Sequence, residues 1–113
     1  MINYQQEGDI LTLVAPSGGV VSGGVYKIGS FIVVAAAAVA QTLPFEGKRR
    51  GVFRVTKVGS QAWTQGVPVY WDNGNTRFTT TSGGNTLAGA AVEAVGAGAG
   101  ETTGVVLLDG TVR

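Results

Sequence analysis

An all-β fold is what this sequence predicts, and three observations carry the prediction. Glycine occurs nineteen times in 113 residues, a density that helices do not tolerate, because each interior glycine costs about 0.5–1 kcal/mol relative to alanine. Apolar runs are short and stop at clusters of glycine, serine, threonine, proline or asparagine, the punctuation of strands and turns. Asn73-Gly74 stands between two such runs, a pair suited to a tight hairpin because it accepts positive φ. The architecture expected is a compact sandwich or small barrel of about seven to nine short antiparallel strands, jelly-roll-like or tulip-like. The length allows one core: a single β domain over residues 9–113, preceded by a polar N-terminal arm over residues 1–8.

The elements follow in order. Asp9 to Val14 alternates, with Ile10 and Thr12 on one face and Leu11 and Leu13 on the other, and stops at Ala15-Pro16-Ser17-Gly18-Gly19. Val20-Val21, Val25–Ile28 and Phe31–Val34 read as short strands separated by glycine. Ala35–Ala40 mixes the best helix former with β-branched neighbours; it reads as strand running into loop, with a short helical turn as the alternative. Glu46–Arg50 reads as a basic loop, and Gly51–Val58 as a strand with Phe53 and Val55 on one face and Val52, Arg54 and Thr56 on the other. A two-residue turn at Asn73-Gly74 would set Tyr70 opposite Arg77 and Val69 opposite Phe78. Val67, Val69, Trp71, Phe78 and Thr80 would then form the core face, with Tyr70 and Arg77 outward in cation–π reach. Pro68 donates no ladder bond, which places it at a strand start or near an edge. Leu87–Val95 and Gly104–Leu108 close the chain around Gly96–Gly100, read as a flexible loop. Trp63 and Trp71 are expected in the core.

Composition narrows the chemistry. Cysteine and histidine are both absent, which removes disulfides, thiolate metal sites, the commonest general base and any Ser-His-Asp triad. No phosphate-binding or dinucleotide glycine motif fits any glycine cluster. A Ser-Lys dyad through Lys27, Lys48 or Lys57 lacks a nucleophile motif. No enzyme activity and no cofactor are expected, and no metal ligand set or small-molecule substrate. Eight basic residues against seven acidic give a net charge of +1, without the clustered positive field that nucleic acid requires. The longest apolar run, Phe31–Ala40, is about half the length that spans a bilayer, so no membrane association is expected. No basic stretch precedes an apolar run at the N-terminus, so no signal peptide is expected. Charged residues are 13% of the chain, about half the usual ~25%, as expected if partners cover part of the surface.

Several landmarks recur together. They are Gly8-Asp9 leading a strand, Ala15-Pro16-x-Gly18-Gly19-Val20-Val21-Ser22-Gly23, and Gly51-Val52-Phe53. Then come Ala62-Trp63-Thr64-Gln65-Gly66 with Val69-Tyr70-Trp71-Asp72, and finally Leu87-Ala88-Gly89-x-Ala91-Val92 with Gly104-x-Val106-x-Leu108. This ordered set, spanning essentially the whole chain, resembles a family of short phage head proteins described as capsid cement proteins. The resemblance implies a structural, non-catalytic protein on the exterior of the phage head, made in the host bacterial cytoplasm. Its implied partners are the major capsid protein and further copies of itself, as a dimer or trimer. A tail or head-fibre base module, or a carbohydrate-binding β module using Trp63, Tyr70 or Trp71, are the alternatives.

Candidate partner contacts are Tyr4, Gln5 and Gln6 in the arm, the basic run Lys48, Arg49 and Arg50, and Tyr70 with Arg77 on the hairpin. An arm can add a strand to a partner's sheet edge, and a small basic run sets orientation against an acidic surface. The hairpin pattern makes a direct prediction. Phe78→Ala should cost about 3–5 kcal/mol of folding stability, and Tyr70→Ala much less; denaturant midpoints of the two variants check the order.

Overall fold

Residues 8–110 are described in the computed structural model, and they form strands without a helix. In chain order these are β1 (Ile10–Val14), β2 (Val25–Ile28), β3 (Phe31–Ala35), β4 (Pro44–Lys48), β5 (Arg50–Thr56), β6 (Pro68–Asp72), β7 (Arg77–Thr79), β8 (Thr86–Ala91) and β9 (Thr103–Asp109). They make two antiparallel sheets, of order β1-β4-β3-β2 and β5-β9-β8-β6-β7. The second sheet curls until its two edges meet at a single parallel bridge between Lys57 and Phe78. One bridge is not a ladder, so the barrel alternative is not realised: the fold is two packed sheets.

The strand β3 explains how the sheets stack. Val33, Val34 and Ala35 are all buried, although neighbours on a strand point to opposite faces. Val34 joins the larger core, with Val55, Trp63, Val69, Trp71, Phe78, Val106 and Leu108 of the five-stranded sheet and its approaches. Val33 and Ala35 face the other way, into a smaller core with Ala15, Val20 and Phe45. The loops flanking the first sheet cover this second face, tied by the Val20–Val39 bridge. Both faces of β3 are therefore dry, and the alanine run leaves the strand as bend and loop, not as a helical turn.

Two expectations are corrected. Glu46–Arg50 is not a loop: Pro44–Lys48 is a strand pairing with both β1 and β3. Its alternation was hidden because one of its two inward positions is Gly47, which carries no apolar side chain; Val33 lies where a Cβ on Gly47 would go, at 3.0 Å. The hairpin register also differs. Asp72 pairs with Arg77, Trp71 with Phe78 and Tyr70 with Thr79, so the loop is Asn73–Thr76 and not Asn73-Gly74 alone. The Asp72 carboxylate accepts from the Asn75 backbone N–H (3.2 Å) and side-chain amide (2.9 Å), and Thr76 takes the positive φ of 52°. An aspartate at the first turn position favours this wider loop. Because the slip is two residues, every side chain keeps its face: Trp71 and Phe78 meet in the core at 5.0 Å between ring centroids.

Trp63 lies on β9 where the strand has no side chain. A Cβ on Gly104 would stand 2.5 Å from the Trp63 ring, so the indole occupies the notch that glycine leaves. Gln61 holds it there, its Oε1 accepting from Trp63 Nε1 (2.9 Å) and from the Thr80 N–H (2.8 Å). Gly104→Ala should therefore overpack this contact and cost about 1–3 kcal/mol, measured as a fall in the denaturant midpoint at unchanged slope.

Candidate interaction surface

The basic run sits at a junction. Lys48 ends β4, Arg50 begins β5, and Arg49 lies between them. The Arg49 guanidinium donates to the carbonyls of Gly8 and Gly110, joining the point where the described chain enters β1 to the point where it leaves β9. Arg50 pairs with Asp9 at 3.2 Å, both side chains more than half exposed, a geometry worth about 0–1 kcal/mol. Two of the three charges thus act within the molecule, and Lys48 is exposed on the face of β4. Tyr4, Gln5 and Gln6 lie outside the described residues.

The hairpin residues separate. Tyr70 lies across from Thr79, and Arg77 from Asp72, so the expected Tyr70–Arg77 facing pair does not form. Arg77 Nε is buried without a hydrogen-bond partner, beside a polar groove that also takes in Gln61, Asp72 and Asn85. Hydrogen bonding from Asn75 holds the Asp72 carboxyl below its ordinary value, with a smaller contribution from the Arg77 charge. Trp63 and Trp71 are 1% and 3% exposed, which removes them as a sugar-stacking platform.

A buried cation escaped the sequence reading. Lys57 is 1% exposed; its ammonium donates to the carbonyls of Val58 (2.8 Å) and Glu101 (3.2 Å) and lies 5.4 Å from the Trp63 ring centre. Its cover is thin, one loop and one indole, and not a deep core. The same loop is the Gly96–Gly100 segment, which is tied down: Glu101 Oε2 accepts from Gly96 N–H (3.0 Å), and Ser60 N–H donates to Gly98 (3.1 Å). No local pattern distinguishes Lys57 from an exposed lysine, because its partners are backbone carbonyls brought in by tertiary folding.

Each sheet ends in strands with one open side. β5 is an edge of its sheet and β2 an edge of the other, and a groove of about 540 Å³ runs between them. Among the described residues no group of three or more acidic side chains is placed to hold a metal, and no helix is long and apolar enough to cross a membrane.

A family model described as phage cement protein matches residues 5–108. The chain belongs to the phage cement protein family. No curated protein and no solved structure matches it. The family is one of structural proteins, and the name associates its members with the phage capsid. In such a protein the working parts are surfaces and the rigidity behind them, which gives Lys57 its place: it fastens the Gly96–Thr102 loop to the body.

Burial pushes the Lys57 ammonium below the ordinary lysine value of 10.5, partly opposed by Glu101. A lysine with a lowered folded-state pKa binds fewer protons when folded in the interval between the two values, so its contribution raises stability as pH rises through that interval. The unfavourable term is full below the folded pKa and gone above the unfolded value. Denaturant midpoints measured on the alkaline side towards pH 10.5 should therefore carry a rising component in the wild type that is absent from Lys57→Met.

Proposed function

We propose that this cement-family chain binds the outer surface of an icosahedral phage shell and bridges neighbouring major capsid subunits. It acts there as a dimer or trimer, without catalysis, nucleic-acid or membrane binding, or a cofactor, after synthesis in the bacterial host. The observation that carries this reading is the family match over residues 5–108.

Physical features support it. A clamp must resist displacement, and this body is braced by dry cores on both faces of β3. The few charges leave apolar side chains available for burial, among them Val14, Val21, Leu43 and Val52, each more than half exposed. Singly such residues are ordinary, but several on one small domain favour contact with partners. Lys48, Tyr70, Arg77 and the arm residues Tyr4, Gln5 and Gln6 remain proposed contacts. Arg49 and Arg50 join them through the junction they stabilise, from which the arm departs.

The test is sedimentation of purified protein with expanded shells that lack it. The expected outcome is saturation at a fixed number of copies per shell, with raised resistance of the shell to heat. A folded oligomer that leaves intact shells unbound would transfer the reading to a tail or head-fibre module.

A further inference from the structure

The open side of β5 has the features of a docking edge. Hydrogen bonds alternate sides along an antiparallel strand. Lys57 N–H donates to Thr102 on the β9 side (2.8 Å), and Val58 N–H donates to Phe78 on the β7 side (3.0 Å). Counting back by twos, Val55 and Phe53 address β9, while Val52, Arg54 and Thr56 turn their backbone groups to the other side. Apart from the single bridge between Lys57 and Phe78, which engages the Thr56 end, no described strand pairs with that side, so its open stretch runs from Arg50 to Val55. Unpaired strand edges are templates for a further strand.

The side chains along this edge say what it would accept. Arg54 is exposed and makes no ion pair among the described residues. It lines the groove facing Val25 and Tyr26 of β2, with Thr56 beside it and Val55 and Trp71 beneath, and no carboxylate takes part in that lining. Two residues back on the same face, Val52 is 58% exposed and sits directly across from Leu107, 45% exposed. The edge therefore offers, in order, an apolar position and a positive one, about 7 Å apart along the strand. A second copy of this chain is a poor occupant. β5 carries two arginines and no carboxylate, so pairing two β5 edges leaves Arg54 without an opposite charge in any register and sets guanidinium against guanidinium where the twofold falls on it.

We infer that the free edge of β5 receives an extended segment of the capsid protein, which adds a strand there and places a carboxylate at Arg54 and an apolar side chain at Val52. The inference rests on the cement reading and names its contact. The incoming segment carries the two groups at alternate positions, so that both fall on one face.

Two measurements on shells lacking the cement protein decide it. Arg54→Glu should bind at least tenfold more weakly than wild type while its thermal unfolding as a free protein is unchanged. The chain has no cysteine, so the thiol introduced by Thr56→Cys reports the edge alone; it should react with a maleimide in free protein and be protected on the shell. Undiminished binding by Arg54→Glu, or a thiol equally reactive free and bound, overturns the β5 assignment and leaves the cement reading standing. If Arg54→Glu fails to fold, the thiol result decides alone. Wild-type protein that binds no shell overturns both.

Discussion

The seating of Trp63 in the notch at Gly104 is the contact on which the five-stranded sheet depends. The Trp63 indole approaches β9 this closely because Gly104 has no Cβ, which would stand 2.5 Å from the ring. Once there, it fixes much around it. Its N–H engages Gln61, which in turn satisfies the Thr80 N–H and meets Thr79, so the β7 edge is tied to the segment before β6. Its face receives the Lys57 ammonium, and that ammonium holds the loop leading into β9. Apolar burial, a buried amide and a covered charge thus share one site. A buried polar network whose members are satisfied fixes one arrangement of the chain around it, even where burying its charge costs stability.

The first sheet depends on a different constraint, dryness on both sides of β3. One face closes onto the larger core and the other onto loops, which lets a four-stranded sheet of short strands persist without a helix to cover it. Arg49 completes the arrangement by binding carbonyls at both ends of the described chain. A basic side chain with fixed backbone acceptors has an architectural role of its own.

This rigidity bears on how a cement protein works. Bridging subunits of a shell requires that strain be passed between contacts without the bridge deforming, and close-packed interiors transmit strain well. In the proposed role the contacts fall at the margins of the sheets, where backbone groups are unpaired and apolar side chains are exposed. The low charge density and the absence of histidine and cysteine fit a protein whose chemistry is adhesion.

By itself the sequence determined the fold class, most strand positions, the division of β5 into two faces, the inward face of the hairpin, and the burial of Trp63 and Trp71. These follow from period-two alternation and glycine punctuation, which are local. The cement family was legible too, from landmarks spread along the chain. Only the tertiary structure decided the rest. β4 was invisible because Gly47 makes room for Val33 without an apolar side chain of its own. The hairpin loop widened because the Asp72 carboxylate captured Asn75, and the two-residue slip spared the faces. Arg49 became a clamp and Lys57 a buried post because their partners are carbonyls far away in sequence. The open edge of β5 depends on which strands fail to meet, and no window of residues carries that information.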